Sequence, residues 1–150
     1  MKLKELINEH LKTAMKSGDK VRLETIRSLR ALILEFEKSG VNREMNEEEE
    51  LKLITGAVKK RKESIEQFSN AGRNDLAEKE EAELKILLEY LPQQLSEDEI
   101  LSEITRTAGE IGAKSKEDFP KLMPQVMKAM KGKADGKVVR NLVEKYLGMN

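Results

Sequence analysis

The chain has 150 residues, 28 Lys and Arg balanced by 28 Asp and Glu, one histidine, no cysteine and only 3% aromatics. The missing cysteine excludes disulfides, thiolate metal sites and a cysteine nucleophile together. A charged fraction of 37% beside so few aromatics argues against a sandwich or barrel and for surface-rich helices.

Residues 2–17 repeat Leu3, Ile7, Leu11 and then Ala14 or Met15 on one side, and the "SGD" at 17–19 stops this first helix through a glycine tolerant of positive φ. A second helix is predicted from about Asp19 to Ser39, with the stripe Ile26, Leu29, Ile33, Phe36 at three- and four-residue steps. Asn46 with Glu49 three residues on marks the start of a third, where a carboxylate also suits the helix dipole. Its stripe runs Leu51, Ile54, Val58, Arg61, Ile65, Phe68, so one cation stands where hydrocarbon is expected. After "NAGRND" (70–75) a fourth helix over about 74–91 reads Leu76, Glu80, Leu84, Leu87, Leu91, interrupted by an anion. In an antiparallel hairpin Arg61 and Glu80 reach the same height, so they either pair across the seam or snorkel to its edge.

Pro92 ends that helix, and Ser96 with Glu99 forms a capping box for a fifth. Ile100, Leu101, Ile104, Ala108 and Ile111 give it an apolar face and Gly112 stops it. The sixth begins near Ser115 or Asp118, delayed or kinked by Pro120 and Pro124, since proline lacks the amide donor. Leu122, Met123, Val126, Met127 and Met130 form its face. Gly132 then breaks the chain, Asp135 caps a seventh helix, and Val138, Val139, Leu142, Val143, Tyr146 and Leu147 are expected to face inward. The expected architecture is all-α: a four-helix bundle-like unit over 1–92 and a three-helix unit over 93–150.

The longest aliphatic run, "ALIL" at 31–34, is far short of the roughly 20 residues that cross a bilayer. The opening "MKLKELINEH" is too charged for a secretory leader. No membrane association and a cytoplasmic location are the expectation.

Chemistry-bearing patterns are few. His10 has no cysteine or serine constellation beside it, and neither GxxxxGK[ST] nor GxGxxG occurs, so a nucleotide cradle is unsupported. Glu47–Glu50 point around a helix axis instead of converging on a cation. No catalytic residue, metal site or cofactor is assigned. "KKRKES" (59–64) reads as a solvated face. The remaining cluster lies in "MKAMKGKADGKVVRNLV" (127–143), where Lys128, Lys131, Lys133, Lys137 and Arg140 come from a helix end, a turn and the next helix start. Residues 119–150 carry seven Lys and Arg against Asp135 and Glu144, a local positive field inside a neutral chain. Aromatics do not interleave with these cations, so phosphate-backbone and shape recognition is the expected mode, not base stacking.

The strings "RKESIEQF", "AGRNDLAEKE", "EYLPQQLSE" and "MKGKADGKVV" resemble the YqeY family, small proteins similar to the tail domain of the B subunit of the tRNA-dependent amidotransferase. The resemblance spans essentially the whole chain and implies a longer N-terminal helical unit followed by a small C-terminal one. It also implies tRNA or structured RNA as partner, and an amidotransferase or synthetase as associated protein. Carried onto this sequence, it nominates Lys131, Gly132, Lys133 and Lys137 for RNA contact and no catalytic residue. Carbon–nitrogen ligase activity is the alternative a family transfer supplies, and an adaptor docking a partner subunit is the alternative from a different class.

Overall fold

The computed structural model describes residues 2–149. Among the described residues there are seven α-helices, one 3-10 turn and no strand. Contacts divide the chain into two compact units, with the division between Leu91 and Pro92.

The first unit contains α1 (Leu3–Ser17), α2 (Lys20–Lys38), α3 (Glu47–Asn70) and α4 (Asn74–Leu88). α1 packs on α2, α3 packs along α4, and α2 also touches α4. Each helix buries one stripe because its apolar residues recur at helical spacing. Ile7, Ile26, Leu29, Ile54 and Leu87 are completely enclosed, each worth about 1.5–3 kcal/mol relative to exposure. Ala14, not Met15, closes the α1 stripe, since Met15 is 58% exposed. The start of α3 is the capping box read from Asn46 and Glu49: Asn46 Oδ1 accepts from the Glu49 amide at 2.8 Å, and Glu49 returns a bond to the Asn46 amide at 3.0 Å.

Two features of α4 differ from expectation. The helix stops at Leu88, and residues 89–91 tighten into bonds from the amides of Glu89, Tyr90 and Leu91 to carbonyls three residues back. Pro92 explains this, because the residue before a proline is pushed out of the α region. The buried face is also wider than the predicted stripe, taking in Ala77, Glu83 and Ile86. Glu83 joins the predicted pair: Arg61 Nε lies 3.4 Å from Glu80 Oε2 and 3.0 Å from Glu83 Oε2. Arg61 and Glu80 therefore do pair across the α3–α4 seam.

The second unit contains α5 (Glu97–Ile111), the 3-10 turn Lys116–Asp118, α6 (Phe119–Ala129) and α7 (Gly136–Tyr146). Its own core gathers Ile100, Ile104, Ala108, Leu122, Val126, Met130, Val139, Val143 and Leu147. Ser96 and Glu99 form the expected box at the start of α5. The delay before α6 is the 3-10 turn, held by the Asp118 carboxylate, which accepts from the Lys114 and Ser115 amides at 2.8 and 3.1 Å. Those bonds hold the Asp118 carboxyl below its ordinary value of 3.8. Pro120 costs α6 no hydrogen bond, because the N–H it lacks falls in a first turn whose amides have no intrahelical acceptor. Pro124 lies inside the helix without ending it.

Leu101, Ile111 and Tyr146, expected to face inward, stand 37%, 39% and 39% exposed. Each flanks a stripe that its neighbours at three- and four-residue spacing already complete: Ile100, Ile104 and Ala108 on α5, and Val139, Val143 and Leu147 for α7.

Candidate functional site

The basic corner of the second unit is built by the end of α6, a six-residue connection and the start of α7. Met130 ends the α6 ladder with its amide on Val126 O at 3.1 Å. Gly132 then takes φ +76°, the left-handed region where a side chain is disfavoured. The Lys133 amide turns back to Met130 O at 2.9 Å. The start of α7 lies against the end of α6: a Cβ on Gly136 would meet Met127 Cε at 3.4 Å, an ordinary van der Waals contact. This contact brings Lys128, next to Met127, and Lys137, next to Gly136, to one corner.

Lys128, Lys131, Lys133, Lys137 and Arg140 are all exposed. Lys128, Lys133 and Lys137 form no side-chain ion pair among the described residues. Lys133 nevertheless contributes to the field that keeps the Glu103 carboxyl low, behind the larger effect of Arg106 hydrogen-bonded to it. Arg140 differs: its Nε is 3.1 Å from Glu144 Oε1, and its guanidinium lies 5.9 Å from the centre of the Phe119 ring. It is engaged within the unit, so the four lysines are the better candidates for an outside anion. Lys131 has an interaction of its own, which does not remove its charge. Asp135 Oδ1 accepts from the Lys137 amide at 2.8 Å, so the cap occupies part of the helix start and the positive charge comes mainly from side chains.

The sequence pattern does not reveal what fixes this connection. Gln94 Nε2 donates to Gly132 O at 2.8 Å and to Pro92 O at 2.9 Å. The Leu95 amide donates to Lys133 O at 2.8 Å. Both partners lie 38 residues from the turn in sequence, and no local periodicity could connect them.

The other candidates resolve into structural roles. His10 Nδ1 lies 2.6 Å from the Tyr90 hydroxyl, and burial pushes the Tyr90 phenol up to about 12, so it remains O–H and ties α1 to the turn after α4. Glu49 serves the α3 cap and meets Arg43 in two hydrogen bonds at 2.6 and 2.8 Å. Of the "KKRK" residues, Lys59 and Lys60 are solvent-exposed while Arg61 is spent on the seam. A cleft of about 270 Å³ opens beside the start of α1, lined by Leu3, Ile33 and Met45 among others. On its rim Lys2 pairs with Glu44 and Lys4 with Glu37, and Glu5 and Glu50 add negative charge. Among the described residues no group of three or more His, Cys, Asp or Glu is placed to hold a metal ion. Nor is any helix among them long and apolar enough to cross a membrane.

Comparison with known proteins places the chain. A family model described as Yqey-like protein matches residues 4–147. The chain belongs to the YqeY family. The chain is 34% identical over 142 residues, 92% of its own length and 77% of the relative's, to altered inheritance of mitochondria protein 41, mitochondrial, of Pyrenophora tritici-repentis. The protein of the same name from Lachancea thermotolerans is 36% identical over 87 residues, 58% of this chain and 46% of that one. An uncharacterised protein of Schizosaccharomyces pombe is 34% identical over 94 residues, 63% of this chain and 76% of its own.

These names correct the expectation of a cytoplasmic protein, because two of the relatives are named as mitochondrial. The expectation rested on absent cysteine and an absent secretory leader. Neither feature separates one reducing compartment from another.

Proposed function

We propose that this YqeY-family chain is a non-catalytic helical module that binds tRNA or another structured RNA through the corner formed by Lys128, Lys131, Lys133 and Lys137. The observation that supports this reading is that Lys128 at the end of α6, Lys131 and Lys133 in the following turn and Lys137 at the start of α7 are all exposed, in a chain whose net charge is zero. Charge gathered at a braced turn is suited to phosphates held at fixed spacing. Arg140, tied to Glu144, borders the site. In this reading the second unit is a three-helix, tail-like module and the first a four-helix one. An amidotransferase or a synthetase acting on the same RNA is the partner protein that its resemblance to the B-subunit tail suggests. The carbon–nitrogen ligase alternative would draw its reacting groups from such a partner.

Filter binding of labelled, unfractionated tRNA tests the reading. If the four lysines neutralise four phosphates, the salt slope is about −3 to −3.6, and raising salt from about 50 to 200 mM costs roughly 50- to 150-fold in affinity. Changing Lys131, Lys133 and Lys137 together to Ala is expected to leave a slope of about −1. Equal affinity and slope in the variant and the original chain would remove the corner as the site.

A further inference from the structure

We infer that Gln94 is a positioning residue of the basic corner: its carboxamide braces the α6–α7 connection so that a backbone amide donor, that of Ala134, faces an incoming phosphate together with the lysines. The inference rests on the RNA-binding reading above and deepens it. Gln94 Nε2 donates to two carbonyls at once, Pro92 O on its own segment at 2.9 Å and Gly132 O on the connection at 2.8 Å. The Leu95 amide takes the next carbonyl, Lys133 O, at 2.8 Å. Two consecutive peptide oxygens of the turn are thus drawn to the 92–95 segment.

A trans peptide plane points its C=O and N–H in opposite directions, and there is no cis peptide bond among the described residues. Fixing Lys133 O on Leu95 therefore turns the Ala134 N–H away from residues 92–95. Oxygen dipoles, which repel phosphate, are held behind the turn, while an amide donor is presented between Lys133 and Lys137. Without the brace, a turn already containing a left-handed glycine at φ +76° has alternative peptide orientations at low cost. The lysines keep their charge in either case, so the brace sets geometry and leaves net charge unchanged.

Gln94→Met tests this, because methionine matches the stem of glutamine but has no donor for the two carbonyls. Gln93→Met, on the neighbouring exposed residue, is the control. In the free protein, amide exchange followed by NMR is expected to quicken at Leu95 about two- to tenfold in Gln94→Met, the span of one typical hydrogen bond. Protection at Val139 and Val143 should stay as in the original chain, which separates a loosened turn from a damaged core. With tRNA, Gln94→Met is expected to bind about two- to tenfold more weakly with a shallower salt slope, and Gln93→Met to bind unchanged. Unaltered Leu95 exchange in Gln94→Met would overturn the brace. A loosened turn with undiminished tRNA affinity would overturn its positioning role and leave the lysine site standing. Failure of the original chain to bind tRNA defeats the underlying reading instead, and it is visible before any Gln94 variant is made.

Discussion

Glu49 shows how one side chain can serve two purposes and acquire a pH signature. Its carboxylate accepts from the Asn46 amide, completing the cap of α3, and is gripped by Arg43. Chiefly through Arg43 and then the Asn46 amide, its carboxyl is lowered to about 2. A carboxyl depressed on folding adds stability above its unfolded value, and that contribution drains away as pH falls through the folded one. The window here runs from about 4.5 down to about 2. Glu49→Gln keeps a carbonyl oxygen for the cap but cannot titrate, so urea denaturation between those pH values should show a flatter decline in midpoint than the original chain. Glu83 has the opposite tendency. Burial, opposed by Arg61, raises its carboxyl, so acidification relieves the cost of its charge in the folded state. Carboxylates of one helical unit thus pull the stability curve in opposite directions, and Glu49→Gln isolates one of them.

At the scale of elements, helix existence was legible because each helix advertises itself locally. Asn46 with Glu49 and Ser96 with Glu99 gave two starts that the structure reproduces as capping boxes. Helix facing was less legible: the α4 stripe predicted Leu84 and Leu87 but omitted Ile86 and Glu83, because how wide a buried face becomes depends on which neighbours cover it. The seam shows both sides of this. Arg61 opposite Glu80 followed from hairpin register, whereas the closer 3.0 Å contact to Glu83 required knowing the rotation of α4. Removing the cation should therefore leave two α4 carboxylates, Glu80 and Glu83, side by side at the seam without their α3 partner. Arg61→Ala is expected to cost about 1–3 kcal/mol, less than the 3–5 kcal/mol of a fully buried pair, because solvent screens part of the interaction. Arg61 and Glu80 side chains retain 25% and 21% exposure, which justifies that discount. The check is a lower urea midpoint with an unchanged denaturant slope. A slope that also changed would mean the hairpin no longer unfolds with the rest of its unit.

For the molecule as a whole, the same local logic left the candidate site half visible. The cations were countable in "MKGKADGK", and Gly132 and Asp135 marked the turn and the cap. The brace from Gln94 and Leu95 was not visible, since it joins segments 38 residues apart through backbone oxygens that leave no trace in composition. Cores follow a clearer division, and it has a consequence for stability. The two apolar clusters share no residue: one collects side chains from Leu3 to Leu91, the other from Leu95 to Leu147. Leu87 in the first and Leu122 in the second are both fully enclosed, so truncating either to Ala should cost about 2–5 kcal/mol within its own cluster. If each cluster is a cooperative unit, the damage stays local. Leu87→Ala is then expected to speed amide exchange at Ile26 and Leu29 by about tenfold for every roughly 1.4 kcal/mol lost, while Val139 and Val143 keep their protection. Leu122→Ala should reverse the pattern. Native-state exchange measured on both variants decides the matter, because parallel acceleration at all four amides in either variant would mean that the chain opens as one body.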